Sequence, residues 1–449
     1  MIKVITYGTF DLLHIGHINL LKRAKELGDY LIVGITADEF DMRRGKLSVK
    51  QSLLERAQAV KETGLADEII IEEYEGQKID DIKKYGVDIF TVGSDWVGKF
   101  DYLNEYCKVV YLQRTDGVSS TQERNKLDLT KFGIVGEASF VNKYVEEYKY
   151  ANGLELIGIN TSDPSKIENK NISLVIDEPY EDFLNRVDAI YLASQPKLHY
   201  KQIKLALQKG KHVLCESPIA LTSKQCTELF ELAKLNGCIL MEALKTAYSV
   251  AYNRLLLLTK MGEIGQVVSI DATCTSLVEL DEKTFNKEWS SMHEWGPTAM
   301  LPVFQLLGTD YVNKNLVVGY LDKNRNFDGF VQISFLFNSA IANVKVGKGI
   351  KSEGELIISG TKGYIYVPAP WWKTDYFEIR YEDYRKNKRL FYQLEGEGIR
   401  HQLVSFAKSI SIKNNISFIG PEVSMAIADV IDDFENKKDI ALVELSKND

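Results

Sequence analysis

A glycine between two histidines, in His14-Ile15-Gly16-His17, joins an apolar run to an amphipathic one and constrains the fold more than any other feature of the chain. Upstream, the β-branched run of residues 2–7 predicts a short buried strand. Downstream, Leu20 and Ala24 are spaced to bury one face of a helix that begins near His17. The sequence therefore predicts a strand–turn–helix unit with both histidines at the turn.

Histidines at such a turn point to phosphate chemistry. The first N–H groups of a helix and the positive end of its dipole favour anions. Gly16 lets backbone approach a ligand closely, and imidazoles can donate hydrogen bonds to phosphate oxygens as charge moves onto a leaving group. A histidine there can instead be an N-terminal cap. Two histidines flanking a glycine, in a chain with only six, favour nucleotidyl transfer.

The stretch TYGTFDLLHIGHINLLKRA resembles the cytidylyltransferase branch of the HxGH nucleotidyltransferase superfamily. The resemblance continues at GSDWVGKFDYL, residues 93–103, and at VVYLQRTDGVSST, residues 109–121. The RTxGxSxT element discriminates best, because ATP-using relatives usually lack it. Residues 1 to about 125 are similar to the glycerol-3-phosphate cytidylyltransferases, which make CDP-glycerol for teichoic acid and capsule synthesis.

The resemblance implies a role for each matching residue. The implied catalytic residues are His14, His17, Lys46 and Arg114. The implied nucleotide-binding residues are Thr9, Phe10, Asp11, Gly16, Arg56, Asp95, Arg114, Ser119, Ser120 and Thr121. The implied acceptor-binding residues are Asp11, Arg44, Lys46, Asp95 and Trp96. Cations and hydroxyls suit phosphoryl transfer, which depends on positioning and charge neutralisation, with Mg²⁺ accompanying the CTP. We expect neither a covalent nucleophile nor a metal site built from protein ligands.

Some of these residues have a simpler interpretation. Arg44 and Lys46 could be solvated side chains of a charged loop, and Arg44 stands where the family commonly has lysine. Asp95 and Trp96 could be a turn residue and a core indole. Gly64 stands where glycerol-3-phosphate enzymes commonly carry an arginine, so an acceptor-phosphate contact is missing or replaced. Glycerol 3-phosphate remains the favoured acceptor, and ATP in place of CTP is the alternative nucleotide.

Length, charge and composition limit which classes of protein the whole chain can belong to. With 449 residues, the chain predicts at least two folding units. A net charge of −8 argues against a nucleic-acid binder. No apolar run is long enough to span a membrane, and the sequence starts with a strand rather than a signal peptide, so we expect a soluble cytoplasmic protein. Five cysteines without CxxC spacing indicate reduced, mostly buried thiols. We expect a homo-oligomer, a dimer or higher.

The chain beyond the polar segment 121–130 predicts a second α/β unit. Apolar runs at 154–160, 187–194, 211–216 and 238–243 alternate with helical patterns, which is typical of a doubly wound parallel sheet. Longer alternating strands at 265–280, 329–347 and 353–380 then predict an open, mainly antiparallel sheet. We predict domains at 1–128, 129–245 and 246–449, with the C-terminal helices returning to the middle one.

The order VDAIYLASQPKLHY, GKHVLCESPIALT and ILMEA, followed by a sheet domain, resembles the Gfo/Idh/MocA oxidoreductases. That family binds NAD or NADP and transfers hydride to or from a sugar or cyclitol. Its glycine fingerprint is degraded here: Gly136 remains, Ala138 replaces the second glycine, and Glu137 brings a negative charge near the expected pyrophosphate. The strand end at 160–163 offers no clear ribose partner. Binding of NAD(P) is therefore expected to be weakened.

The catalytic side of this resemblance is degraded too. The family's Glu-Lys-Pro motif is Glu216-Ser217-Pro218, which lacks the lysine. Thr298 stands where a later motif supplies His or Tyr, and a threonine hydroxyl is a poor general acid or base. His293 nearby could substitute, or it could be an ordinary surface or core histidine. The second part is then either a silent structural or regulatory module, which we favour, or a divergent oxidoreductase that prepares the polyol phosphate.

Overall fold

The computed structural model describes residues 1–37, 51, 53–74, 76–113, 129–151, 153–277, 290–322, 326–374, 376–392 and 398–444. The chain forms two compact units, Met1–Leu129 and Thr130–Asp449. The further division of the second unit at residue 245 stays a prediction.

The first unit alternates strands and helices. Its strands are β1 (Lys3–Gly8), β2 (Tyr30–Thr36), β3 (Glu68–Glu72), β4 (Ile89–Gly93) and β5 (Lys108–Leu112), and its helices are α1 (Ile15–Lys25), α2 (Leu53–Glu62) and α3 (Gln77–Tyr85). The strands pair in parallel in the order β3-β2-β1-β4-β5. The predicted strand–turn–helix unit is confirmed as β1 and α1. Since β2 and β4 flank β1, its carboxyl end opens at a topological switch point, where ligands bind in such sheets.

The first sheet is covered on both faces because successive side chains of β1 point in opposite directions. Val4 packs in one apolar cluster with Leu21 of α1. Ile5 packs in the other cluster with Ile82 of α3 and Phe90 of β4. Each fully buried aliphatic side chain stabilises the fold by roughly 1.5–3 kcal/mol. The turn that carries the histidines is thus held on a strand packed from both sides.

The second unit begins with another parallel sheet. Its strands are β6 (Thr130–Gly136), β7 (Leu154–Asn160), β8 (Ala189–Ala193), β9 (His212–Glu216) and β10 (Leu240–Ala243), and its helices are α4 (Ala138–Glu147), α5 (Tyr180–Phe183), α6 (Pro196–Gln208) and α7 (Ser223–Leu235). The order is β10-β9-β8-β6-β7, and every pair is parallel. This confirms the predicted doubly wound pattern.

The rest of the second unit consists of a nine-stranded sheet and several helices. Its elements are α8 (Val250–Lys260), β11 (Val267–Ser276), α9 (Ser291–Leu307), β12 (Asn313–Tyr320), β13 (Asp328–Leu336), β14 (Ile341–Lys348), β15 (Leu356–Gly360), β16 (Tyr364–Val367), β17 (Tyr376–Arg380), β18 (Lys388–Phe391), α10 (Ile399–Ile412), α11 (Pro421–Glu435) and β19 (Ile440–Glu444). The order is β18-β17-β16-β15-β11-β14-β13-β12-β19, and only β11–β14 and β12–β19 pair in parallel. The sheet is mainly antiparallel, as predicted, although β12, β18 and β19 lay outside the predicted segments.

The last helix returns to the parallel sheet of the second unit. Ala428 of α11 lies in the same apolar cluster as Leu229 of α7. In the described part of the chain, no helix is long and apolar enough to cross a bilayer. All five cysteines are free thiols, of which four are buried and Cys107 is half-buried, so the prediction of mostly buried thiols is confirmed.

Candidate active site

His14 is the N-cap of α1. Its backbone is extended, and its Nδ1 accepts a hydrogen bond from the N–H of Gly16 at 3.1 Å. Because Nδ1 accepts, the proton of the neutral ring resides on Nε2, which becomes a donor. Capping and phosphate binding, which the sequence presents as alternatives, are therefore compatible in one side chain.

His17 stacks on His14. The ring centroids are 3.9 Å apart and the ring planes 24° from parallel. Phe10, which is 1% exposed, contacts His17 edge-on with centroids 5.5 Å apart. A Cβ at Gly8 would lie 3.1 Å from the Phe10 ring, so any larger residue where β1 ends would have to push this ring by a few tenths of an ångström. Phe10 thus packs against the ring of His17.

Arg56 fastens the loop between β1 and α1. Its guanidinium is fully buried and donates to the carbonyl oxygens of Thr9 at 2.6 Å, Thr36 at 2.9 Å and Gln51 at 3.2 Å. Asp11 accepts from the N–H of Gln51 at 3.0 Å. The resemblance implies that Arg56 faces the phosphates, and this stays a prediction; the structure shows its guanidinium on backbone carbonyls. Arg56 thus positions Thr9.

Asp95 and Trp96 form a turn directly after β4. Because β4 is next to β1, this turn lies at the same sheet edge as the histidines. Trp96 packs against Phe100 with ring centroids 5.8 Å apart, whereas Asp95 is exposed. Arg44, Lys46, Arg114, Ser119, Ser120 and Thr121 lie outside the described residues.

A buried ion pair at this edge has no counterpart among the predicted residues. Lys78, 7% exposed in the first turn of α3, pairs with Glu72, 1% exposed at the end of β3. Thr36, at the end of β2, donates to Glu72 at 2.9 Å. The Lys78 ammonium lies 4.5 Å from the ring centroid of Tyr7 and 5.6 Å from that of Phe100. No sequence motif marks Lys78, since it stands in a polar stretch with several other charges.

Tyr7 completes this cluster. Its hydroxyl donates to Asp81 at 2.8 Å, and burial, reinforced by the charge of Asp81, raises its pKa well above the usual range. The phenol therefore stays protonated and keeps donating. The carboxyl ends of β1, β2 and β3 are joined by one continuous set of polar contacts.

In the second unit, a cavity of about 570 Å³ lies at the carboxyl ends of β6, β7 and β8. Gly136 has φ +138°, and a Cβ there would lie 2.3 Å from the backbone of Ala193, so only glycine fits. The described lining includes Glu137, Asp177 and Glu178 and contains neither lysine nor arginine. Ala138 begins α4, and its side chain lies outside the described residues. The carboxylates of Glu137 and Asp177 disfavour a pyrophosphate-bearing cofactor, because like charges repel, whereas the charge of Glu178 is balanced by an ion pair with Arg186.

Ser217, at the position of the family's lysine, is turned into the protein. Its hydroxyl donates to Glu242, which also accepts from Ser424 of α11. Its neighbour Glu216 accepts from the phenols of Tyr144 and Tyr191. Burial raises the pKa of both carboxyls. The segment ties structural elements together rather than presenting a charge to a ligand.

Pro218 and the two remaining candidate positions are also accounted for. The carbonyl of Pro218 bonds the buried His199 ring at 2.7 Å. Thr298 is half-buried within α9. His293 lies at the start of the same helix, where Nδ1 is 2.9 Å from Ser290 Oγ and Nε2 is 2.9 Å from Glu435 Oε1.

Comparison with known proteins identifies both units. Residues 5–163 match the cytidylyltransferase-like family, and residues 130–244 match the Gfo/Idh/MocA oxidoreductase family with its NAD-binding Rossmann fold. The glycerol-3-phosphate cytidylyltransferase of Bacillus spizizenii is 55% identical over 122 residues, covering 27% of this chain and 94% of that protein. The enzyme of the same name from Staphylococcus aureus is 47% identical over 127 residues, covering 28% and 96%.

A solved structure shares the fold of the second unit. KijD10, a 3-ketoreductase from Actinomadura kijaniata in complex with NADP and TDP-benzene, has a TM-score of 0.62 at 16% identity, covering 71% of this chain and 100% of that one. Through its first unit the chain belongs to the glycerol-3-phosphate cytidylyltransferase family of nucleotidyltransferases, and its second unit carries a Gfo/Idh/MocA-type oxidoreductase domain.

Proposed function

We propose that the first unit transfers CMP from CTP to sn-glycerol 3-phosphate, giving CDP-glycerol and pyrophosphate for cell-surface polymer synthesis. The observation that carries the proposal is the His14 cap, in which the Nδ1 hydrogen bond leaves Nε2 as the donor nitrogen at the N-terminus of α1, beside the stacked His17. An acceptor phosphate oxygen attacks the α-phosphorus of CTP, and the bond to the β-phosphate oxygen breaks. The histidines and the helix N-terminus then stabilise negative charge on the phosphates.

Mg²⁺ would accompany CTP as part of the substrate. It neutralises phosphate charge, while the chain's own groups position the nucleotide. Arg56 holds the Thr9 loop, and Phe10 holds His17. Of the residues implied by resemblance, Lys46 and Arg114 remain proposed catalytic groups.

We propose Lys78 as the acceptor-phosphate contact that Gly64 cannot supply. Its ammonium is nearly buried at the carboxyl edge of the sheet, close to the rings of Tyr7 and Phe100. Glu72 holds the ammonium on one side. Low solvent exposure strengthens the attraction between such a cation and a phosphate.

A substrate panel tests the activity. Pyrophosphate release is measured with CTP or ATP, each combined with glycerol 3-phosphate, ribitol 5-phosphate or no acceptor. We expect release with CTP and glycerol 3-phosphate, and none from His17→Ala. Lys22→Ala, on the exposed side of the same helix, is the matched control and should be as active as the wild type. Pyrophosphate release with ATP but not with CTP would identify an adenylyltransferase. The proposal is overturned if CTP gives no release with any of the acceptors.

For the second unit we propose a module without oxidoreductase activity. Two observations support this proposal. The hydroxyl of Ser217 donates a hydrogen bond to Glu242, and the described lining of the cavity at Gly136 is acidic. Titration with NADH and NADPH tests this. Fluorescence transfer to bound nicotinamide, or thermal stabilisation at micromolar cofactor, would support the alternative of a bifunctional enzyme that makes the polyol phosphate.

Cytoplasmic location and homo-oligomeric assembly remain proposals. The proposed cytoplasmic location rests on the small, charged substrates, and the proposed homo-oligomer rests on the resemblance of the two units to families that commonly dimerise. Light scattering after size exclusion gives the oligomeric state directly, and a monomer would contradict the second proposal.

A further inference from the structure

The ring of Tyr7 lies against both strands that flank β1. Tyr7 is 8% exposed and pairs in register with Gly34 of β2. A Cβ at Gly34 would collide with the Tyr7 ring, so a larger residue there would displace the ring. On the other side, Phe90 of β4 stacks with this ring, and the two centroids are 6.1 Å apart. The neighbouring strands therefore confine the ring from both sides.

The hydroxyl of Tyr7 fixes the far end of the ring. It donates to Asp81 of α3 at 2.8 Å, and Asp81 is 6% exposed. The same carboxylate accepts from the amide of Gln77 at 3.1 Å, and that amide also donates to the carbonyl of Ile71 at 2.6 Å. Hydrogen bonds to an ionised group are among the stronger ones in proteins. Tilting the ring would break such a bond, so the ring keeps one orientation.

The face of this ring carries the ammonium of Lys78. The nitrogen lies 4.5 Å from the centroid of Tyr7 and 5.6 Å from that of Phe100. An aromatic face attracts a cation, and the attraction grows when both groups are shielded from water, as they are here. A phenol that donates to a carboxylate is polarised by it, which adds electron density to the ring and strengthens the attraction.

Tyr7 and Glu72 act on this cation differently. The carboxylate of Glu72 neutralises the ammonium and so competes with any phosphate for it. The phenol of Tyr7 stays neutral, because burial raises its pKa well above the usual range. It attracts the ammonium without cancelling its charge. Removal of the ring would shift the ammonium toward Glu72, and the positive charge offered to a phosphate would fall.

We propose that Tyr7 is a positioning residue for acceptor binding, whose ring holds the Lys78 ammonium where the phosphate of the acceptor alcohol binds. The inference rests on the proposed role of Lys78 in cytidylyl transfer and extends it to a residue of β1. Tyr7 acts through Lys78 and is not itself a catalytic residue. Its effect should therefore be confined to the acceptor phosphate and absent from CTP.

Binding of each substrate to the full-length protein tests the inference without any need for turnover. The protein is titrated with sn-glycerol 3-phosphate, or with CTP and Mg²⁺, and binding is followed by ³¹P NMR. We expect Tyr7→Leu to weaken glycerol 3-phosphate binding about five- to thirtyfold, the range of a shielded cation–π contact, and to leave CTP binding unchanged. Tyr7→Phe keeps the ring and should lose at most about threefold.

Two further variants separate positioning from a general loss of packing. In the Lys78→Met background, Tyr7→Leu should have no additional effect on glycerol 3-phosphate binding, because the cation that it positions is gone. Tyr30→Leu is the matched control. It removes a phenol that packs on the same apolar cluster at the amino end of β2, and it should leave the binding of both substrates unchanged.

A fluorinated series keeps the test decisive if Tyr7→Leu does not fold. Phenylalanines with one, two and three ring fluorines at position 7 preserve the shape of the ring and progressively weaken its attraction for a cation. Affinity for glycerol 3-phosphate should fall stepwise along the series, a trend that loss of packing does not produce.

The inference is overturned by equal affinities across the fluorinated series, by an equal loss of CTP binding in Tyr7→Leu, or by full additivity with Lys78→Met. Failure of the wild type to bind glycerol 3-phosphate overturns it too. Failure of the proposed transfer reaction looks different, since glycerol 3-phosphate then binds in a Tyr7-dependent way while no pyrophosphate is released.

Discussion

The imidazole of His14 stacks on that of His17 with ring centroids 3.9 Å apart. This stacking and the Gly16 hydrogen bond fix the plane of the His14 ring from two directions. A donor held in this way needs no reorganisation when charge develops on a phosphate, which is the main source of catalysis in such sites. The turn is therefore preorganised before any nucleotide binds.

His14→Asn should separate capping from catalysis. Asparagine is a good N-cap, so its stability should match the wild type, whereas His14→Ala should lose about 1 kcal/mol. Both variants lose the Nε2 donor and should lower kcat about 100-fold or more. Urea unfolding and pyrophosphate release measure the two effects; an active His14→Asn enzyme would show that the histidine only caps the helix.

Arg56→Met should loosen the loop that carries Thr9. Removing a buried guanidinium that serves three carbonyls should destabilise the first unit by about 3 kcal/mol. The midpoint of urea inactivation of cytidylyl transfer reports this change. Lys61→Met, an exposed position on the same helix, should not move the midpoint. Equal midpoints for the two variants would mean that Arg56 has no structural role.

Lys78→Met should raise the KM for glycerol 3-phosphate more than tenfold and leave the KM for CTP nearly unchanged, because a charge-assisted contact contributes about 1.5–3 kcal/mol. The change also leaves Glu72 buried without its cation. Adding Glu72→Gln should restore stability but not the acceptor KM. If the double variant recovers the KM as well, Lys78 acts only through the fold.

Glu242→Gln should change how stability depends on pH. Burial raises the folded-state pKa of Glu242 above its ordinary value of 4.5, so the folded chain holds this proton more tightly than the unfolded chain. The resulting stability is complete below pH 4.5 and is lost as pH rises through the folded-state pKa. Glutamine mimics the protonated form, so the melting temperature of the variant should fall less than that of the wild type between pH 5 and pH 8, on the scale of ~1.4 kcal/mol per unit of pKa shift.

Glu228→Gln provides the control for this pH series. Its carboxylate lies on the surface, where hydrogen bonds from Lys204 and Tyr200 lower its pKa. It should not reproduce the gain at high pH. Parallel melting curves for Glu242→Gln and the wild type would show that the buried carboxyl is not titrating in this range.

Local patterns carried most of the fold prediction. The apolar run before His14-Ile15-Gly16-His17 forms β1, and the runs at 154–160 and 211–216 form β7 and β9. These strands were predictable because buried parallel strands are short, apolar and bounded by turns. The sequence patterns did not predict strands β12, β18 and β19. The two edge strands, β18 and β19, are short and largely exposed, so their side chains do not alternate between buried apolar and exposed polar positions.

The sequence alone determined the two-unit α/β plan and the place of His14 and His17, because strand and helix signals and the HxGH motif are local. Only the tertiary structure decided which way side chains point across elements: Arg56 toward carbonyls, Lys78 onto Glu72, Ser217 into Glu242 and His293 onto Glu435. Each of these contacts joins residues brought together by sheet order and helix packing. No local pattern encodes such contacts, since their free energy depends on burial that exists only once the chain has folded.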